Sequence, residues 1–235
     1  MVEEKKGFHR AWLVFIGVCM MMAGGMGLVL NVMGNFFVPM ALQFGLVTPE
    51  GKPDVTQVTL LMTVYSYVML VWLPFAGRLF DRVDARVLFG AGGVCVVAAV
   101  ALLGVWGEVW QIYISGVLLG LAGPIIFLVG PSVLINNWFA PKQAGKFLGI
   151  ASAFTGVGTF VWSPLFAGLI KSMGYQSAFF VEAGISAVLI LVPAVLFFRT
   201  RPEDVGLAQY GIEKEKMDRI SELTRLSRER ELTED

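Results

Sequence analysis

Charged residues are scarce in this 235-residue chain, and its longest apolar stretches hold almost none of them. They make up 15% of the sequence, whereas soluble domains carry about 25%. Hydrophobic residues reach 56%, and the mean hydropathy is +0.72. The low charge therefore excludes an ordinary water-soluble domain and predicts that lipid is the main solvent. The net charge is zero and the sequence has no basic patch, which argues against a nucleic-acid partner.

Residues that carry catalytic or metal chemistry are few as well. The chain has one histidine, His9, and two cysteines, Cys19 and Cys95, which lie in apolar runs and are interpreted as small hydrophobic residues. No HExxH, GxSxG or GxxxxGK[ST] pattern occurs. The sequence predicts no enzyme, no catalytic residue, no cofactor and no metal site. An intramembrane enzyme is a distant alternative, because no pair of acids or histidines is placed to cooperate.

Six apolar stretches are long enough to cross a bilayer, which takes about 20 residues. They are Trp12–Met33, Val55–Phe75, Val87–Val105, Val109–Leu128, Phe147–Ile170 and Ala178–Phe198, with extensions of the first to Met40 and of the fourth to Ile135. The first stretch is too long for a signal-peptide core, so it is expected to be retained. Because open backbone cannot lie in lipid, the predicted fold is an all-α integral membrane bundle of six helices. The predicted regions are a cytoplasmic N-terminus (1–11), the membrane domain (12–198) and a charged cytoplasmic linker or tail (199–235).

Positive charge is distributed unevenly between the loops of this arrangement. Of the 18 Lys and Arg residues, only Lys52 and Lys171 fall in loops that are external when the N-terminus is cytoplasmic. The positive-inside rule therefore favours an even number of spans with both termini in the cytoplasm. We expect a multi-pass protein of the cytoplasmic (inner) membrane.

The loop after the second stretch carries a family signature. It reads Gly77-Arg78-Leu79-Phe80-Asp81-Arg82-Val83-Asp84-Ala85-Arg86. It resembles the major facilitator superfamily pattern G-x-L-x-D-R-x-G-R-[RK], with Asp84 and Ala85 where Gly and Arg are usual. A carboxylate at Asp81 can pair with an arginine or with a helix N-terminus. The resemblance implies a conformational latch formed by Gly77, Arg78, Asp81, Arg82 and Arg86, and a loop charged only for topology is the alternative.

Two further segments narrow the resemblance. The segment Asn137-Trp138-Phe139-Ala140-Pro141-Lys142 and the segment Arg201-Pro202-Glu203-Asp204-Val205-Gly206-Leu207 are similar to junctions in oxalate/formate antiporters and monocarboxylate transporters. That family has twelve helices in two halves, each with 3+3 inverted repeats, and binds substrate near the bilayer midplane between the halves. The chain thus resembles the N-terminal half.

The resemblance implies secondary active transport of a small organic solute, with a carboxylate as the expected class, by alternating access. The expected partners are the lipid bilayer, the solute and either a C-terminal six-helix half or a second copy. Transport of a neutral or cationic compound is a rival within the same class. A non-transporting membrane scaffold, or an inactive fragment of a twelve-helix transporter, is the alternative from another class.

The resemblance also implies that helices 1, 2, 4 and 5 line a cavity. The candidate lining residues are Asn31, Asn35, Tyr65, Tyr67, Gln111, Tyr113, Thr155 and Thr159. Asn31 and Asn35 share one helical face, and lining the cavity and hydrogen bonding between helices are equally compatible with that spacing. For the threonines, packing is favoured. The pair Gly123 and Pro124 is the predicted kink of helix 4.

Glu182 is the only acid inside a predicted span. Ionisable residues in membrane helices suggest function, but a position about one turn from the outer end of helix 6 predicts a side chain that reaches the interface or has a structural role. No Lys or Arg lies deep inside a span. An anionic substrate would therefore find its cationic partner in the other half, and we expect little or no anion transport by this chain alone.

Overall fold

A computed structural model of the protein describes residues 9–80, 82–212 and 216. The described chain forms α1 (Ala11–Gln43), α2 (Thr56–Leu79), α3 (Ala85–Leu103), α4 (Val109–Trp138) and a helical run over Pro141–Leu196. All five are long and apolar enough to cross a bilayer. The first four coincide with the first four predicted stretches, and the last run covers the remaining two.

The run over Pro141–Leu196 is a pair of helices joined without a loop. At Gly174 the backbone has φ 82° and ψ 160°, a conformation that glycine adopts without steric penalty. We name the two arms α5 (141–173) and α6 (175–196). With this division the protein is the predicted bundle of six membrane helices.

Aromatic contacts show how α5 and α6 run beside α1. On the α5 side, Phe15 contacts Phe147 and Phe36 contacts Phe166, so α5 runs parallel to α1. Phe36 also stacks on Phe179 at the start of α6, with ring centroids 4.0 Å apart. The end of α6 returns to the beginning of α1. The first helix therefore lies between the two arms, while α4 packs against α2 and α3, and α3 packs against α6.

Two of the helices are interrupted near their middle. Helix α1 is α-helical over Ala11–Met21, π-helical over Met22–Leu30 and α-helical again over Gly34–Gln43. Helix α4 is α-helical over Val109–Gly123, π-helical over Pro124–Leu128 and α-helical over Val129–Trp138. In the 3+3 repeat that the family resemblance implies, α1 and α4 occupy the same position in their respective triplets. Similar interruptions therefore occur at equivalent places in the two repeats.

The chain that follows α6 ties several helices together at one end of the bundle. In this segment, residues 199–212, which we call the strap, the carbonyl oxygen of Arg199 accepts a hydrogen bond from Trp138 Nε1 at 2.9 Å. The backbone of Tyr210 bonds to Trp138 and Ala140. The Tyr210 ring lies 5.7 Å from that of Trp12. The strap thus holds the beginning of α1 against the junction between α4 and α5.

Candidate functional site

A line of polar side chains joins α1 to α5. Asn31 Nδ2 donates to Thr159 Oγ1 at 2.8 Å, and Asn35 Nδ2 donates to the carbonyl oxygen of Ser163 at 2.9 Å. The Thr159 hydroxyl has two acceptors in reach, the carbonyl oxygens of Gly27 at 3.2 Å and of Thr155 at 2.9 Å. We call Asn31, Asn35, Thr159 and Ser163 the polar seam. Its hydrogen bonds connect one helix to the other through uncharged amides, hydroxyls and backbone carbonyl oxygens.

The polar seam is open to the surface where α1 is interrupted. Asn31 directly follows the π-helical stretch, and its side chain is exposed, while Asn35 and Thr159 are half-buried. π-Helical turns often occur at functional sites because they distort the regular backbone hydrogen bonding. The two asparagines thus bond between helices, and Asn31 also presents a polar surface in an apolar region. The sequence alone left these two roles open.

The predicted lining residues of α2 and Thr155 of α5 differ in exposure. Tyr67 is 67% exposed and borders a shallow groove of ≈ 360 Å³ lined by Met62, Thr63, Ser66, Tyr67 and Leu70. Tyr65 is half-buried and faces α4, where its ring lies beside Gly123. Thr155 is half-buried, and its hydroxyl oxygen has no hydrogen-bond partner among the described residues. Tyr67 therefore has the most freedom to contact a solute.

The two predicted lining residues of α4 form hydrogen bonds near the beginning of that helix. The side-chain oxygen of Gln111 accepts hydrogen bonds from the backbone N–H groups of Gly107 and Glu108, at 3.1 and 3.0 Å. The Tyr113 hydroxyl donates to the carbonyl oxygen of Gln57 at 3.0 Å. At 1.5 Å per residue, Gln111 lies roughly 20 Å along the helix from the interruption at Pro124. A role of either residue in the cavity remains a prediction.

At Gly123 and Pro124, the predicted kink of α4, regular α-helix gives way to the π-helical stretch. The backbone N–H of Val129 bonds to the carbonyl oxygen of Pro124, five residues earlier. Proline has no N–H and cannot continue the normal hydrogen-bond pattern. The side chains from Pro124 to Phe127 are all buried, so this interruption faces the inside of the bundle.

The described part of the latch loop contacts the exit of α6. Arg86 Nε donates to the carbonyl oxygen of Phe198 at 3.2 Å, whereas Arg78 and Arg82 are exposed. Asp81 lies outside the described residues. Gly77 lies inside α2, and no heavy atom of the described residues would lie within 4 Å of a Cβ there.

Asp84 has a role that the sequence did not reveal. Its carboxylate accepts the backbone N–H of Arg86 at 3.0 Å and the Thr200 hydroxyl at 3.2 Å. Thr200 Oγ1 in turn accepts the backbone N–H of Ala85 at 2.8 Å. Asp84 therefore caps α3 and joins it to the strap. The signal was an Asp directly before an apolar helix, which is a preferred N-cap residue.

Comparison with known proteins agrees with this architecture. The family model of the Major Facilitator Superfamily matches residues 13–225, which include all six helices. The chain belongs to the Major Facilitator Superfamily. It is a multi-pass membrane protein.

Three curated relatives illustrate the range of the superfamily around this chain. "Putative glycerol-3-phosphate transporter 1" of Arabidopsis thaliana is 31% identical over 150 residues, which are 62% of this chain and 27% of that protein. "MFS-type transporter pynF" of Aspergillus niger is 28% identical, with 84% and 44% covered. "Multidrug transporter protein MdtP" of Bacillus subtilis is 26% identical, with 58% and 25% covered. The chain spans about a quarter to under a half of the length of these superfamily members.

Two helices of this superfamily bundle, α2 and α5, expose many apolar side chains. They include Tyr67, Leu70 and Val71 on α2, and Val157, Phe160 and Val161 on α5, with Phe160 82% exposed. In α2 only 11% of the most apolar 18 residues are buried, against 61% in α1. These surfaces of α2 and α5 must therefore contact lipid or another protein surface.

Two acids of this superfamily member are in opposite environments. Asp54, in the loop before α2, is bonded to Thr56 through the threonine side chain and then through its backbone N–H, and both bonds lower the pKa of the Asp54 carboxyl. Glu182 of α6 has no exposed surface. The expectation that it reaches the interface is therefore wrong. The predicted stretch began at Ala178, whereas α6 begins directly after Gly174, so Glu182 lies about two turns inside the helix.

Proposed function

We propose that this chain is the N-terminal six-helix half of a secondary transporter, which moves a small organic solute across the cytoplasmic membrane by alternating access. The observation that carries the proposal is the pair of interrupted helices, α1 and α4, at equivalent positions of the two repeats. Interrupted helices near the bilayer midplane are where transporters place their solute sites, because distorted backbone offers polar groups there. The polar seam adds an exposed amide beside the interruption of α1.

The substrate class that we favour is an organic anion, and a carboxylate in particular. The junction around Trp138 and the segment after α6 resemble oxalate/formate antiporters and monocarboxylate transporters, and one relative is named for glycerol 3-phosphate, which is also an organic anion. Amide and hydroxyl donors of the polar seam suit the oxygens of such a solute. Its cationic partner would come from the other half, since no Lys or Arg lies deep inside these spans.

A neutral solute is the second candidate. It is favoured by the polar seam itself, whose four side chains carry no formal charge, and by the resemblance to a protein named as a multidrug transporter. A panel of labelled carboxylates, phosphate esters and neutral compounds would separate the two candidates.

The proposed partner of the exposed apolar surfaces of α2 and α5 is a C-terminal six-helix half, or a second copy of this chain. An exposed ring such as Phe160 is large for a protein–water boundary but suits either lipid or a packed helix. Lys52 and Lys171 are the two basic residues of the external loops in this arrangement, which favours both termini in the cytoplasm.

The mass of the purified complex in mild detergent, with and without a co-expressed C-terminal half, tests the partner. We expect a one-to-one complex with that half. A lone monomer under both conditions would remove the basis for a transport cavity in this polypeptide. Transport is then tested by uptake into proteoliposomes, and we expect none with this chain alone.

A matched pair of variants tests the seam in the assembled pair. Asn31→Ala removes an exposed amide beside the α1 interruption, whereas Asn136→Ala removes an exposed amide at the far end of α4. A hydrogen bond to a charged solute contributes about 1.5 kcal/mol or more, so we expect Asn31→Ala to lower kcat/KM about tenfold. Asn136→Ala should leave it unchanged. Equal loss in both variants would contradict the assignment of the seam.

A further inference from the structure

Glu182 is a buried acid that lies outside the proposed solute site. Its side chain has no exposed surface, and neither carboxyl oxygen has a hydrogen-bond partner among the described residues. Ser186, one turn further along α6, is equally buried, and its hydroxyl also lacks a partner in the described chain. Buried polar groups are nearly always hydrogen-bonded. Glu182 and Ser186 therefore place three oxygens without a hydrogen-bond partner among the described residues on one buried face of α6.

Contacts of α6 with α1 bracket this position on one side. Phe179 stacks on Phe36, while Leu189 lies so close to Gly24 that no side chain would fit at that glycine. Between these two contacts α1 presents apolar buried residues such as Val29, Val32 and Met33. The wall of α1 thus offers no charge to Glu182.

Contacts with α3 bracket it on the other side. Gly104 meets Phe180, and Gly93 meets Ile190, so the two helices remain close along this length. The buried residues of α3 between these glycines include Val96, Ala99 and Val100. Glu182 and Ser186 are therefore enclosed between two apolar helix surfaces.

Few ionisable groups belong to the surrounding elements. Between Gly24 and Phe36, α1 has none, and between Gly93 and Gly104, α3 has only the half-buried Cys95. On α6 itself Tyr175 is buried, and its hydroxyl has no partner among the described residues. The only cation on the outer half of α5 is Lys171, which is exposed. The surroundings thus provide no counter-ion for a carboxylate at position 182.

We propose that Glu182 binds a proton inside the bundle and releases it only when α6 separates from α1 or α3. A carboxylate without a charge partner in apolar surroundings is strongly disfavoured relative to the neutral acid. The closed packing of α6 therefore keeps the Glu182 side chain in its protonated form. Release breaks the O–H bond of the acid, leaves the carboxylate on Glu182 and transfers the proton to water that enters as the helices separate. Proton occupancy is thereby linked to the position of α6.

This proton site stands independently of transport. If the proposed function holds, Glu182 would supply the coupling ion, and that step alone rests on the proposed function. Ser186 is the neighbouring hydroxyl that would bond to the carboxylate once the acid has ionised and the packing has loosened.

Infrared spectroscopy of the full chain in lipid nanodiscs tests the site without solute or partner. We expect a carboxylic-acid C=O band at neutral pH in the wild-type protein. It should disappear in Glu182→Gln, which keeps the size of the side chain, and persist in Glu50→Gln, which changes an exposed loop acid. The absence of the band in wild type, or its persistence in Glu182→Gln, would overturn the proposal.

Isotope labelling keeps the test decisive if the glutamine variant does not fold. Wild-type protein with ¹³C at its glutamate carboxyl groups should show the same band at lower frequency, and a band that does not move would exclude Glu182.

Thermal unfolding against pH gives a second readout. Wild type should lose thermal stability as the pH rises above about 4.3, the usual pKa of a free glutamate carboxyl, because the unfolded chain then releases a proton that the folded protein retains. Glu182→Gln should lose less.

Discussion

Helices α1 and α4 both carry a π-helical stretch near the middle, nine residues long in α1 and five in α4. In α4 the stretch begins at Pro124, whose missing N–H interrupts the regular hydrogen bonds. In α1 it contains no proline, and its glycines lie against α4, α5 and α6 instead. The α4 interruption therefore has a local cause in the sequence, whereas the α1 interruption depends on how neighbouring helices pack.

The two interruptions also differ in what surrounds them. The side chains from Pro124 to Phe127 are buried, so the π-helical stretch in α4 faces the inside of the bundle. The stretch in α1 ends at the exposed Asn31, which bonds to Thr159 of α5. Movement of α5 relative to α1 would change this exposed end directly. We therefore expect solute contact at the α1 interruption, whereas the α4 interruption shapes the inside of the bundle.

The largest expected loss of unfolding free energy comes from Gly130→Ala, which adds a methyl group next to the α4 interruption. A Cβ at this position would collide with the carbonyl oxygen of Ile125, inside the π-helical stretch, and with the ring of Phe89 on α3. Overpacking of this kind typically costs 1–3 kcal/mol, and the backbone collision puts this case at about 3 kcal/mol of unfolding free energy. Thermal unfolding in detergent measures it.

Gly149→Ala is the matched control for that variant, because no heavy atom would lie within 4 Å of a Cβ at Gly149. It should unfold like wild type. If Gly130→Ala were as stable as the control, the π-helical stretch of α4 would tolerate a side chain, and its role as a rigid structural feature would be wrong.

A smaller loss of unfolding free energy is expected from Gly158→Val, which places a larger side chain on α5 against the α1 interruption. A Cβ at Gly158 would lie 2.6 Å from the carbonyl oxygen of Ala23, and Ala23 lies within the π-helical stretch. Since the obstacle is backbone, α5 must move away from α1, at a cost of about 2 kcal/mol. The readout is again the free energy of unfolding.

Gly156→Val provides the control on the same helix, since a Cβ there has no heavy atom within 4 Å. Both variants make the same change in helix propensity, so their difference isolates the contact with α1. Equal stability of the two variants would show that α1 does not need close packing on α5 to keep its π-helical form.

The sequence predicted the number of helices because hydrophobic length and the positions of lysine and arginine are local signals. Pro124 likewise marked the α4 interruption. The α1 interruption carried no such signal, since it arises from contacts such as that between Gly158 and Ala23, which are far apart in sequence. The spacing of Asn31 and Asn35 predicted a shared face but not their partners on α5. The position of Glu182 within its helix was predicted wrongly because α6 begins directly after Gly174, before the predicted apolar stretch begins.

The smallest expected effect sharpens the comparison at the exposed end of the α1 interruption. Thr159→Val removes the acceptor of Asn31 Nδ2 and a hydroxyl within reach of the Gly27 carbonyl oxygen, while it keeps the shape of the side chain. Hydrogen bonds between membrane helices contribute about 0.6 kcal/mol on average, so the loss of unfolding free energy should be about that size. Thr63→Val, on the exposed face of α2, makes the same chemical change and should have no effect. Because the cost is small, α1 and α5 can exchange this bond for one to a solute, which a seam with a role in transport requires. A loss as large as that of Gly158→Val would instead make the seam a structural joint, and solute contact would then have to be sought on the α2 side, around Tyr67.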